Sequence, residues 1–216
     1  MEAVKVKVVW GVVMLRSVAK YAQKVIKEKG TWGAVKFVNL RRVWWQRAVA
    51  LTAFLEARIS FPRIVAAVFL FLIGAVWRIC SSYHLHGKKL KKLCDTGPYN
   101  WVRHPLYVGS VITTFSLVLG VGGVFSAVVF WFSLFSYVVS IVVEEIAMLL
   151  EVKGYEEYRK KVKRAIFPPF LIPRFDWKVL KEGVRRNKEW LNVIVVLVVG
   201  GAFLIKALLS SGKDRE

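Results

Sequence analysis

The chain has 216 residues, of which 56% are hydrophobic, and it carries 34 Lys or Arg against 14 Asp or Glu for a formal net charge of +20. That apolar content, with a mean hydropathy of +0.47, is high for a soluble domain and ordinary for a membrane protein. Long apolar runs have no place in a small basic module, so the composition argues against nucleic-acid binding and favours apolar spans separated by basic loops.

The first part of the chain is basic and amphipathic. Residues 3–28 mix apolar positions with lysines and an arginine, which fits a helix on a membrane surface and equally well a solvated helix packed on the rest of the protein. Residues 43–57 are mostly apolar but contain Arg47 and Glu56. Whether this second stretch spans the membrane is left open by its sequence.

Later segments are apolar enough to cross a bilayer. Residues 64–79 predict a span because Arg78 is their only charge and lies near one end. Residues 105–143 contain no charge over 39 residues, and glycines near their middle supply a turn. One span needs about 20 residues, so this run predicts a hairpin of two membrane helices. Residues 190–208 predict a last span. We expect an all-α polytopic membrane protein with four to five transmembrane helices and cytoplasmic amphipathic helices.

Basic loops over residues 84–104 and 153–188 flank the predicted hairpin. The positive-inside rule places both in the cytoplasm, next to anionic lipids, in a protein of the cell membrane. The two cysteines have no metal-site spacing, so no metal is predicted. Three parts are expected: an amphipathic N-terminal segment over 1–42, a membrane core over 43–175, and a linker helix with a C-terminal transmembrane helix over 176–216.

A stiff polar stretch, GPYNWVRHPLYVG, covers residues 97–109. Proline suits the first turn of a helix and pushes the residue before it out of the α region, so we expect a helix from Pro105 with an extended His104 at its cap. The free N–H groups of that helix end, with Arg103, would suit an anionic group. Gly109 would let a ligand or another helix come close. The plainer alternative is a set of membrane-interface anchors.

Glu144 and Glu145 are the first charges after the uncharged run. Neighbouring helix positions point about 100° apart, so the two acids can serve partners on different sides. Residues 146–150 are apolar again, which places the acids inside the protein rather than at a wet helix end. Acids in such a position are usually functional, whereas the alternative is a solvated end just outside the membrane.

Residues 151–170 predict a short cytoplasmic amphipathic helix. Tyr155, Tyr158 and Val162 share one face, and Glu156 stands four residues before Lys160 on the other. A positively charged membrane-surface helix would show the same pattern.

Together these elements resemble the superfamily of isoprenylcysteine carboxyl methyltransferases and phospholipid methyltransferases. The shared features are the pattern G-P-Y-x-x-V-R-H-P-x-Y-x-G at 97–109, the apolar hairpin, the paired acids, and G-x-x-x-Y-x-x-x-V at 154–162 with prolines beyond. The similarity covers residues 64–175. A departure is the apolar Ile141–Val143 stretch, where relatives often carry an arginine, and this leaves carboxyl methylation in doubt.

The resemblance implies an integral-membrane methyltransferase that uses S-adenosylmethionine and methylates a lipid or lipidated acceptor. It implies a cofactor pocket built from helix ends and cytoplasmic loops, with Glu144 and Glu145 also catalytic. The implied cofactor-binding residues are Tyr99, Arg103, His104, Tyr107, Gly109, Glu144 and Glu145.

Two other functions stay open at this point. A non-enzymatic basic scaffold would bind anionic lipids through its lysines and arginines. A membrane reductase would share a similar cofactor region but would bind a nicotinamide nucleotide.

Overall fold

A computed structural model describes residues 2–56, 61–86, 88 and 91–166, together with 178, 181, 182 and 205; for 2–15, 45–56, 61, 124 and 125 only the backbone is described. Throughout these residues the regular structure is helical, which confirms the predicted all-α fold. Five α-helices follow one another, with a 3-10 turn over Gly97–Asn100 before the third: α1 (Glu2–Glu56), α2 (Phe61–Leu85), α3 (Pro105–Val121), α4 (Val124–Glu151) and α5 (Tyr155–Lys161).

Helix α1 consists of two helical halves joined at Gly30, whose φ of 70° and ψ of 169° interrupt the helical backbone. Both halves contribute to a buried cluster with α4. Its members are small or β-branched, which suits close packing of helices: Ala22, Val25, Ala34, Val35 and Val38 of α1, with Val143 and Ala147 of α4. The expected boundary between residues 42 and 43 falls inside α1, and the division into domains stays a prediction.

Helices α2 and α3 cross at two glycines. A Cβ on Gly109 would stand 2.8 Å from the carbonyl oxygen of Gly74, and a Cβ on Gly74 would stand 3.0 Å from that of Gly109. Only residues without a side chain permit such an approach, as in other membrane helix pairs.

The predicted hairpin is present. Helix α3 ends at Val121, the positive φ angles of Gly122 (69°) and Gly123 (84°) reverse the chain, and α4 begins at Val124. Helix α3 therefore packs between α2 and α4. Large apolar side chains cover the outer faces, including Phe69, which is 66% exposed, and Trp131, which is 69% exposed. Such faces suit lipid.

Two described helices are long and apolar enough to cross a membrane: Pro62–Leu85 with 24 residues and Ser126–Glu151 with 26. The apolar helix Pro105–Val121 is shorter, at 17 residues, and would reach about 26 Å across a hydrocarbon core of about 30 Å. Residues 43–56 continue α1 and are not among these spans. Except for residue 205, the expected span over 190–208 lies outside the described residues, so the total of four to five stays a prediction.

Candidate functional site

The start of α3 lies against the end of α4. As expected, the helix begins at Pro105 with His104 at its N-cap. However, His104 has φ −126° and ψ 60° rather than an extended backbone, and its side chain makes no capping bond. Its Nε2 lies instead 3.2 Å from Glu145 Oε1. The ring of this buried histidine also packs edge-on against Tyr107, with 6.0 Å between the ring centroids.

Arg103 holds three parts of the chain together. Its Nε donates to Glu145 Oε1 at 2.7 Å, and its Nη1 donates to the carbonyl oxygens of Val162 and Lys163, both at 2.9 Å. The backbone N–H of Arg103 also donates to the Arg164 carbonyl at 3.0 Å. The charge expected to attract an external anion is thus committed to an internal carboxylate.

The α3 helix end is also partly used internally, because the N–H of Tyr107 donates to the His104 carbonyl at 3.0 Å. The anion site expected from Arg103 and this helix end therefore lacks its main cation.

Glu144 and Glu145 face different partners, in line with their angular separation on the helix. Glu145 faces α3, and its Oε2 also lies 3.8 Å from Arg159 Nε of α5. Glu144 faces α1, where its Oε1 accepts a hydrogen bond from Asn39 Nδ2 at 3.1 Å. The two acids thus belong to two distinct polar environments.

Helix α1 supplies two polar residues that the sequence reading did not single out, Asn39 and Arg42. Asn39 Oδ1 accepts from the Tyr107 hydroxyl at 3.4 Å, so this amide connects α3 to Glu144. The guanidinium of Arg42 lies over the rings of Tyr107 and Tyr137, at 5.0 and 5.5 Å from their centroids. In the sequence, the one feature that links Asn39 and Arg42 is their spacing of three residues, which places both on one face of a helix.

A cluster of tyrosines closes the side of the site that is formed by the loops. Tyr155 and Tyr158 of α5 are buried together with Val162, as predicted. Tyr158 donates its hydroxyl to the carbonyl oxygen of Tyr99 at 2.7 Å. The hydroxyls of Tyr99 and Tyr155 are buried and have no hydrogen-bond partner within the described part of the chain.

These tyrosines keep their protons. Burial, followed by the nearby carboxylate of Glu145, raises the pKa of Tyr155, and burial also raises the pKa of Tyr99 well above its ordinary value. Both hydroxyls are therefore hydrogen-bond donors at neutral pH.

The predicted residues thus do not all meet at one point. Arg103, His104 and Glu145 are in direct contact, and Tyr107 joins them through the His104 ring. Gly109 is buried at the α2–α3 crossing, where an added Cβ would stand 2.5 Å from Arg78 Cγ.

Residues 62–153 match the family model of phospholipid methyltransferases. This match confirms the resemblance to the membrane methyltransferase superfamily. No curated protein and no solved structure matches the chain.

The stretch that matches phospholipid methyltransferases contains α3, α4, both glutamates and all of α2 except its first residue. Asn39 and Arg42 of α1 lie before this stretch, and Tyr155 and Tyr158 of α5 lie after it. The site therefore combines helices of the matched stretch with flanking helices of this chain.

Proposed function

We propose that this protein transfers a methyl group from S-adenosylmethionine to a lipid or lipid-linked acceptor at the cytoplasmic face of the cell membrane. The observation that carries the proposal is the pair of acids at the end of α4. One of them, Glu145, is held by Arg103 and His104, while its neighbour Glu144 faces α1. Both lie in the stretch that matches phospholipid methyltransferases.

The residues of the site fit this cofactor chemically. S-adenosylmethionine carries a sulfonium, an ammonium, ribose hydroxyls and an adenine. A carboxylate such as Glu144 suits a cationic group, and the buried, unpartnered hydroxyls of Tyr99 and Tyr155 can donate to cofactor oxygen or nitrogen atoms. We assign cofactor binding to these residues together with His104 and Tyr107, whose rings line the same end of α3.

The proposed chemistry is a displacement in which positioning and exclusion of water supply most of the rate. When bound, the cofactor supplies an electrophilic methyl group. Arg103 and His104 fix the carboxylate of Glu145, so its negative charge needs no rearrangement when positive charge shifts nearby. An acceptor whose nucleophile carries a proton, such as a hydroxyl or an ammonium group, would pass that proton to Glu144. The loops next to both acids are basic, which supports a cytoplasmic site.

The test is S-adenosylmethionine binding by the purified full chain in neutral detergent, measured by titration calorimetry. We expect the wild type to bind and Glu144→Gln to bind at least tenfold more weakly, because a hydrogen bond to a charged group contributes about 1.5–3 kcal/mol. Glu157→Gln, an exposed acid on α5, is the matched control and should bind as the wild type does.

Three outcomes would overturn the proposal. The first is no binding by the wild type. The second is binding of a nicotinamide nucleotide in its place, which would indicate a reductase. The third is lipid binding that depends only on the exposed lysines and is indifferent to His104→Ala and Glu144→Gln, which would indicate a basic scaffold.

A further inference from the structure

Arg42 is a half-buried cation whose guanidinium points into the helix bundle. Its guanidinium lies between α1, α3 and α4, against the rings of Tyr107 and Tyr137. Its neighbour Arg41 is exposed and lies over the Phe37 ring, 4.5 Å from the centroid. Two adjacent arginines thus have opposite environments, and only Arg42 faces the site.

The donors of Arg42 are not fully used. Its Nε and Nη1 atoms are buried and have no hydrogen-bond partner among the residues that the structure describes. An arginine keeps its charge under all ordinary conditions, and a buried charged donor without an acceptor is costly. The faces of two tyrosine rings offset part of that cost but accept no N–H bond in the guanidinium plane. An acceptor with negative charge would complete this environment.

The position of Arg42 along the bundle indicates where such an acceptor would come from. The half of α1 after Gly30 runs antiparallel to α4, since Thr31 bonds Glu151, Asn39 bonds Glu144, and Arg42 lies over Tyr137. Arg42 follows Asn39, the partner of Glu144, by three residues on α1, so its backbone lies about 4.5 Å nearer the hairpin turn. This is the bilayer side of the site.

We infer that Arg42 binds the anionic oxygen group, a phosphate or a carboxylate, of the lipid acceptor. The inference rests on the proposed methyl transfer. A lipid headgroup enters from the bilayer and reaches Arg42 on that side, while its nucleophile lies toward Glu144 and the cofactor site. A polar cofactor that enters from the cytoplasm would reach Glu144 and Glu145 before its carboxylate could reach Arg42. Arg42 is thus a specificity-determining residue for the acceptor, and it selects anionic over neutral lipids.

The experiment measures binding of short-chain lipids to the purified full chain in neutral detergent, with Arg42→Gln, Arg42→Lys and the matched control Arg41→Gln. The probes are dihexanoyl phosphatidylglycerol for a phosphate, decanoate for a carboxylate, and dihexanoyl glycerol as the neutral lipid. We expect Arg42→Gln to weaken binding of one anionic probe at least tenfold, Arg42→Lys to weaken it less, and Arg41→Gln to change it less than twofold. The anionic probe that is affected identifies the group.

Cofactor binding separates this inference from the proposed function. S-adenosylmethionine should bind to Arg42→Gln within twofold of the wild type. Loss of cofactor binding with unchanged lipid binding would assign Arg42 to the cofactor and overturn the inference. If Arg41→Gln weakened lipid binding as much as Arg42→Gln does, the effect would be one of surface charge, and the inference would also be overturned. Failure of the wild type to bind the cofactor at all counts against the proposed function, while the lipid titrations still test Arg42.

The unfolding temperature of the wild type tests the same inference if the Arg42 variants do not fold. An anion that satisfies Nε and Nη1 should raise the unfolding temperature of the wild type at saturating phosphatidylglycerol or decanoate. Dihexanoyl glycerol should not raise it. Equal shifts with anionic and neutral lipids would contradict the inference.

Discussion

The ion pair between Arg103 and Glu145 should be energetically strong, and a double-mutant cycle can measure it. The perturbations are Arg103→Gln, Glu145→Gln and both together. The two side chains are only 10% and 15% exposed, and Arg103 Nε lies 2.7 Å from Glu145 Oε1. Solvent therefore screens this pair little. Glu145→Gln leaves the buried Arg103 without its carboxylate, and Arg103→Gln leaves Glu145 with only the more distant Arg159, at 3.8 Å, as a permanent cation.

The expected magnitude follows from this burial. Breaking one side of a buried pair costs about 3–5 kcal/mol of unfolding free energy. Arg103→Gln should cost more than Glu145→Gln because it also removes the two bonds to the carbonyls of Val162 and Lys163. The coupling energy of the cycle should be about 1–3 kcal/mol, as for other residues in direct contact.

The assay is equilibrium unfolding in mixed micelles with increasing dodecyl sulfate, followed by tryptophan fluorescence. Trp77 is a suitable reporter because its indole N–H donates to the Pro105 carbonyl at 2.9 Å, at the start of α3. The control cycle uses Glu156 and Lys160, a pair at 3.1 Å whose side chains are 72% and 75% exposed. That surface pair should couple by about 0.5 kcal/mol at most. Equal coupling in the two cycles would refute the buried-pair reasoning.

Two further predictions concern packing and pH. Gly109→Ala should lower the unfolding free energy by about 1–3 kcal/mol, because its Cβ would stand 2.8 Å from the Gly74 carbonyl oxygen. The matched control in the same unfolding assay is Gly33→Ala, whose Cβ would meet only Lys29 Cβ, at 3.2 Å. Equal losses of unfolding free energy in the two variants would contradict the close crossing of α2 and α3. Burial raises the pKa of Tyr158, so above a pH of about 10 the folded state holds a proton that the unfolded state loses, and stability should fall as pH rises past that value. Tyr158→Phe should flatten this alkaline decline in unfolding temperature, and an unchanged decline would assign it to other groups.

Several elements could be predicted from the sequence because local features specify them. A charge-free run of 39 residues with central glycines has to form two helices in a membrane, and the observed turn falls at Gly122 and Gly123. Proline at the first helical position determines the start of α3. The side-chain periodicity of α5 likewise identified its buried face, with Tyr155 and Tyr158. These features depend on neighbours within a few residues.

The pairing of charges depended on the tertiary structure. Arg103 and Glu145 are 42 residues apart, and no local pattern links them. The sequence offered Arg103 as a free cation for an external anion, but the return of α4 brings a carboxylate to it first.

The clearest division is between Arg41 and Arg42. They are adjacent and chemically identical, so the sequence offers no reason to distinguish them. Side chains of consecutive helix residues point about 100° apart, so only one of them can face α4. The buried contacts of Ala34, Val35 and Val38 with α4 orient α1, and that orientation turns Arg42 toward Tyr107 and Tyr137 while Arg41 stays exposed. The sequence alone determined that the chain has apolar helices with charges at their ends, and the packing of α1 on α4 decided which of those charges became part of the site.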